Sequence, residues 1–92
     1  MMVETRLFAN FREITKKERV SISADSVNEL IEKLCQDYGE LESEFFTDVE
    51  ERELKNNINI TVNGSSIKGL DGLETELEEE DIVSIFPPVS GG

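Results

Sequence analysis

The sequence predicts an α+β domain of two layers, with one main helix packed on one face of a mixed sheet of four or five strands. Three observations predict it. The segment SVNELIEKLCQDYG carries an unbroken apolar stripe at helical spacing. The segments around it alternate apolar and polar residues, as half-buried strands do. The alternating segments fall two before the helix and three after it. No repeat or linker interrupts this order, and 92 residues suit one domain, residues 1–86, followed by a tail, residues 87–92.

Taken in order, MVETRLFAN places Val3, Thr5 and Leu7 on one face and Glu4, Arg6 and Phe8 on the other. FREITKK reads as a polar connection carrying Phe11 and Ile14. ERVSIS then returns with Val20 and Ile22 inward, so that the two strands form a hairpin with a long loop. In the helix, Ser26 and Glu29 have the capping-box spacing S-x-x-E. Val27, Leu30, Ile31, Leu34, Cys35 and Tyr38 make the stripe, and Gly39 is placed to end it in the left-handed conformation. ELESEFF reads as a short helical turn with Leu41, Phe45 and Phe46, and TDVEERELKNN as a surface loop. NINITVNG points Ile58, Ile60 and Val62 inward and Asn59 and Thr61 outward. Asn63-Gly64 is a hairpin signal, with SSIKG as the return strand. In LDGLETELEEED, Leu70, Leu73 and Leu77 tuck inward. IVSIF is the last strand, with Val83 and Ile85 on one face and Ile82, Ser84 and Phe86 on the other, and Pro87 and Pro88 end the ladder.

Composition narrows the function. The net charge is −12 and the pI about 4.2. This argues against nucleic acid and anionic membrane surfaces as partners, and is compatible with a basic protein partner or with plain solubility. No apolar run approaches a membrane span and no signal peptide precedes the first strand, so a cytoplasmic location is expected. A single cysteine leaves no internal disulfide and no multi-cysteine metal site. The absence of histidine removes Ser-His-Asp and Cys-His catalysis and nearly every zinc site. Cys35 lies in the apolar stripe without a basic neighbour to activate it, which predicts a buried structural thiol. Glu76, Glu78, Glu79, Glu80 and Asp81 lack the glycine and ligand spacing of a calcium loop and read as a solvated turn, and none of Lys16, Lys17, Lys33, Lys55 and Lys68 is marked out as a conjugation site. The chain is therefore expected to lack catalytic residues of its own, and to enter chemistry as a substrate or carrier.

Two features break the polar pattern of the outer sheet face. Phe8 and Phe86 both point outward by alternation, and they meet if the first and last strands are neighbours. Either they form an exposed aromatic pair suited to anchor a partner, or the loop holding Phe11 covers them. The second feature is the tail. From Ile82 to Gly92 eleven residues carry no charged side chain. A stiff proline pair leaves the sheet, and the residues from Pro87 to Gly92 can extend about 20 Å. Val89 can grip an apolar groove, and Gly91 and Gly92 lack the Cβ that would block a narrow tunnel. The only reactive group is the terminal carboxylate, a poor electrophile until another enzyme activates it.

RLFANFREI, the single helix, INITVNG, LDGLETEL and above all IVSIFPPVSGG, taken together over essentially the whole chain, resemble the MoaD/ThiS family of β-grasp, ubiquitin-like sulfur carriers. The tail is more similar to the small subunit of molybdopterin synthase and the small archaeal modifier proteins than to the thiamine sulfur carrier. The resemblance implies that an E1-like adenylyltransferase of the MoeB/ThiF type uses ATP to adenylate Gly92, and that a sulfur donor converts the adenylate to a thiocarboxylate. The resemblance also implies that this chain itself binds no cofactor, the ATP being used by the adenylyltransferase. In the molybdenum-cofactor branch the tail enters a large synthase subunit of the MoaE type. In the modifier branch activated Gly92 is joined to a target lysine, and the same end can feed tRNA thiolation. Carried over residue by residue, Gly92 is the reactive position and Gly91 the tunnel position. Pro87, Pro88, Val89 and Ser90 form the inserted tail, and Phe8, Phe86 and Arg12 the partner-docking positions. The chain departs from the family in two places. Glu78 to Asp81 replace a common Asp-Gly-Asp turn, and Ser66 stands where an apolar contact residue is common. Three functions follow for test: a sulfur carrier, shown by sulfur on Gly92; a protein modifier, shown by conjugates; and an inert β-grasp adaptor, shown if loss of Gly91 and Gly92 changes nothing.

Overall fold

The computed structural model describes residues 2–48, 53–54 and 58–86. Ten elements are built on them: β1 Met2–Leu7, α1 Ala9–Thr15, β2 Arg19–Ser23, α2 Val27–Asp37, α3 Leu41–Phe45, β3 Phe46–Asp48, β4 Glu53–Leu54, β5 Asn59–Val62, β6 Ser65–Ser66 and β7 Ile82–Phe86. Five strands form one sheet in the order β2-β1-β7-β5-β6, with β1 and β7 parallel and the remaining neighbours antiparallel. Parallel pairing of the first and last strands requires a crossover, and α2 within that crossover covers the inner face of the sheet.

The expected inward residues make the core. Val3, Leu7, Ile22, Ile60, Val62, Val83 and Ile85 line the inner sheet face, and Val27, Leu30, Ile31, Leu34 and Cys35 meet them from α2. Ser26 caps α2 as expected, its Oγ accepting the Glu29 N–H at 3.2 Å. The Glu29 carboxylate reaches back to the N–H of Asp25 at 3.0 Å, one residue earlier than in the usual box. Asn63 (φ 51°) and Gly64 (φ 89°) both take the positive φ that a tight two-residue hairpin demands.

Several elements differ from the sequence expectation. The FREIT part of FREITKK belongs to a helix, α1, rather than to a polar connection. Its inner side is Phe11 and Thr15, with half-buried Ile14 packed on the core beside them, a single turn too short to register as periodic, yet Phe11 is wholly buried against Phe45. Gly39 does not take positive φ: α2 ends at Tyr38 (φ −134°, ψ 84°), and the chain turns directly into α3. The TDVEERELKNN segment contributes two short antiparallel strands, β3 and β4, to a separate small sheet, anchored by buried Phe46. The return strand after Gly64 lasts two residues before Ile67–Gly69 winds into a 3-10 turn. That turn stops at Gly69 and a second begins at Gly72, so Leu70 swings out between them and is 46% exposed, while Leu73 packs on the core and Leu77 is buried. These turns are fastened to the start of α2 by backbone hydrogen bonds from Val27 to Thr75 and from Leu77 to Asp25.

Candidate functional site

The site is built where β1 leaves the sheet. Phe8 follows β1 in extended backbone (φ −126°, ψ 154°), so its ring continues the alternation onto the outer face. Ala9 then turns the chain into α1 at φ 49°, a left-handed geometry that a residue with a Cβ adopts only at a cost. Phe86 ends β7, the strand beside β1, and points to the same face. The two rings stack with centroids 4.7 Å apart and planes 12° from parallel. Phe8 is 38% exposed and Phe86 half-buried. Of the two arrangements the sequence allowed, the open one holds, because Phe11 is engaged with Phe45 in the core.

The register arranges the outer face in three rows. Nearest the tail lie Phe8, Phe86 and Asn59, the last directly opposite Phe86. The next row runs across all five strands as Arg19, Arg6, Ser84, Thr61 and Ser66. The third holds Ser21, Glu4 and Ile82. Arg12, on α1, joins the first two rows at one end: with Arg6, Phe8, Glu18 and Arg19 it lines a shallow groove. Arg12 Nη1 donates to Glu18 Oε1 at 3.3 Å, and Arg6 Nε to Glu4 Oε2 at 2.6 Å. Phe8, Phe86 and Arg12, the residues expected to dock a partner, thus lie together: Phe8 stacks on Phe86 and shares the groove with Arg12. Pro87, Pro88, Val89, Ser90, Gly91 and Gly92 lie outside the described residues.

The pairing of Arg6 with Arg19 was not legible in the sequence. Both are outward by alternation, but only the register of the first hairpin sets them opposite one another. The acidic turn has a structural use. Asp81 accepts the Glu78 N–H at 2.8 Å and the Asn63 side-chain amide at 2.9 Å, and Glu80 takes φ 69° within the turn. Ser66, the other departure, receives the Lys68 N–H at 3.3 Å and faces Asn59. Cys35 is buried. Among the described residues no helix is long and apolar enough to cross a membrane.

Comparison with known proteins agrees with this architecture. The model of the ThiS family matches residues 5–92. The chain is 35% identical, over the full length of both proteins, to small archaeal modifier protein 3 of Haloferax volcanii. The solution structure of small archaeal modifier protein 1 from Methanosarcina acetivorans superposes with a TM-score of 0.89 at 37% identity, covering 100% of this chain and 99% of that one. A putative molybdopterin converting factor subunit 1 from Pyrococcus furiosus does so with a TM-score of 0.76 at 28% identity, over 97% and 99%. With a five-stranded mixed sheet, a crossover helix and these relatives, the chain belongs to the ThiS family, the ubiquitin-like β-grasp proteins that serve as sulfur carriers and modifiers.

Proposed function

We propose that this chain carries sulfur on Gly92 and delivers it as the small subunit of molybdopterin synthase. The observation that carries the reading is the continuity of Phe86 with the tail. The residue that stacks on Phe8 at an open face also immediately precedes Pro87, so a partner that grips the ring pair holds the root of FPPVSGG. Docking there fixes where the tail starts, and its reach of about 20 Å then delivers Gly92 into a distant active site.

In this reading an E1-like adenylyltransferase binds ATP. A Gly92 carboxylate oxygen attacks the α-phosphorus and pyrophosphate leaves. The terminal sulfur of a persulfide attacks the activated carbonyl carbon and AMP leaves. A thiol then cleaves the sulfur–sulfur bond and frees the thiocarboxylate, which is nucleophilic at neutral pH. Small residues at the end of the tail let the enzyme exclude water from the acyl adenylate. A large subunit of the MoaE type receives the loaded tail and passes its sulfur to a pterin precursor. The chain supplies the tail and its docking face, and the partners supply acid, base and metal chemistry.

A second reading is favoured by the modifier names of the relatives at 35% and 37% identity. The amine of a target lysine attacks the same activated carbon, AMP leaves, and an isopeptide bond to Gly92 results. Sulfur delivery to tRNA uses the same thiocarboxylate. The intact mass of the protein from its native cells, beside a Gly92-deleted control, separates the outcomes. One oxygen replaced by sulfur, seen only with Gly92, supports the carrier. Gly92 joined to a lysine of another protein brings the modifier forward. A carboxylate left unmodified with ATP and native extract leaves an inert adaptor.

A further inference from the structure

Charge is unevenly spread along this chain. Residues 1–20 hold five of the nine Lys and Arg residues and three of the twenty-one Asp and Glu residues. Three of those five cations, Arg6, Arg12 and Arg19, converge on one groove beside Phe8. Two carboxylates balance two of them: Glu18 meets Arg12 and Glu4 meets Arg6. Arg19 makes no ion pair among the described residues, and it stands directly across from Arg6. Like charges opposed across two strands destabilise the pairing. Such an arrangement does not help the strand pairing, and it leaves an exposed guanidinium without an ion pair among the described residues in the groove beside Phe8.

The adjoining surface has a different character. Past Arg6 the outer face forms an open basin of about 570 Å³, lined by Ile82, Ser84, Phe86, Thr61 and the Asn63-Gly64 turn. Arg6 is the wall common to groove and basin. A guanidinium on one side of this wall and an apolar floor with hydroxyl rims on the other match a short peptide segment with carboxylates beside an apolar side chain.

We infer that the Arg6–Arg19 pair and the Phe8–Phe86 stack together form a docking site for an acidic segment of a partner protein, its carboxylate held by Arg19 and its apolar side chain seated on Phe86 and Ile82. The identification of that partner as an enzyme acting on the tail rests on the proposed function; the binding itself does not. Charge complementarity selects this occupant. A chain of net charge −12 repels acidic proteins as a whole. At about 0.15 M salt, however, charges beyond about 8 Å are screened and the local cations decide. A second copy of the chain brings the full like charge with it. The groove therefore orients an acidic partner that the rest of the surface holds off.

The test uses the full chain, isotopically labelled, titrated with the peptide acetyl-Glu-Asp-Leu-Glu-Asp-amide at about 0.15 M salt and followed by NMR. The expected result is movement of the Arg6 and Arg19 Nε signals and of the Phe8 and Phe86 ring signals. Arg19→Gln should weaken binding about fivefold, as should the Gln/Asn version of the peptide, while Lys16→Gln leaves it unchanged. Equal binding of the neutral peptide, shifts that avoid these four residues, or an Arg19→Gln variant that binds like the parent would each overturn the inference. So would movement of the same signals on raising protein concentration alone, which would assign the site to a second copy. Sulfur on Gly92 does not enter this titration, so the docking site and the carrier reading can fail separately.

Discussion

Phe11 stacks on Phe45 with centroids 5.0 Å apart and planes 19° from parallel, and Phe8 stacks on Phe86 at 4.7 Å and 12°. The geometries nearly coincide, but the first pair is wholly buried between α1 and α3 and the second meets water on the outer sheet face. Burial, rather than ring–ring contact, decides what a stack contributes. Transfer from water stabilises a buried aromatic ring by several kcal/mol, whereas the contact itself adds about 1 kcal/mol. The inner pair therefore holds the fold, while the outer pair leaves part of its apolar area open to a partner.

The largest expected effect follows from the inner pair. Phe11→Ala removes a ring with no exposed surface, and unfolding in urea should show a loss of about 3–5 kcal/mol, a large share of a small domain's stability. Phe8→Ala should cost about 1 kcal/mol in the same experiment, because the ring already sees solvent. On the proposed function, its consequence should appear instead in activation of the tail, with formation of the Gly92 adenylate by an E1-like enzyme reduced about tenfold or more. Equal destabilisation by the two variants would break the comparison. It would mean that the outer stack is a structural element.

How much of this was legible follows from the range of each signal. The inner and outer faces of β1, β5 and β7, and the stripe and cap of α2, came from alternation and spacing within single segments, which sequence displays directly. Short elements were lost. The inward contacts of α1 are too few to form a stripe, β3 and β4 carry three and two residues, and Leu70 was misplaced because a 3-10 turn ended one residue before it. In the candidate site, alternation pointed to Phe8 and Phe86, and family resemblance to these two and Arg12. The Arg6–Arg19 opposition depends on hairpin register, which no single segment specifies.

Among the described residues each sheet face also holds a group that its surroundings do not satisfy, and the two should respond differently. On the inner face, Thr5 is wholly buried in β1 and its Oγ1 has no hydrogen-bond partner among the described residues. Thr5→Val keeps the shape and removes the unsatisfied hydroxyl, so it should stabilise the protein by about 1 kcal/mol, read as a higher urea midpoint at unchanged slope. A loss instead would show that the hydroxyl is satisfied. Peptide binding at the outer face should not change.

On the outer face the corresponding group is Arg19, the cation without an ion pair among the described residues. Arg19→Gln keeps the length of the side chain and removes the charge opposite Arg6. Relief of a like-charge contact between exposed groups should stabilise the fold by only a few tenths of a kcal/mol, since solvent already weakens the repulsion. The sign is more informative than the size. A gain at low salt that disappears near 1 M, where the screening length falls to about 3 Å, identifies repulsion as its source. A gain that persists at high salt would instead reflect the strand preference of glutamine, and a loss would mean that Arg19 supports the sheet. The repulsion outcome, coupled to weaker binding of the acidic peptide, would set the two faces apart as the two stacks do: the inner face gains stability when its misfit is removed and loses nothing else, while the outer face gains slightly and gives up its partner.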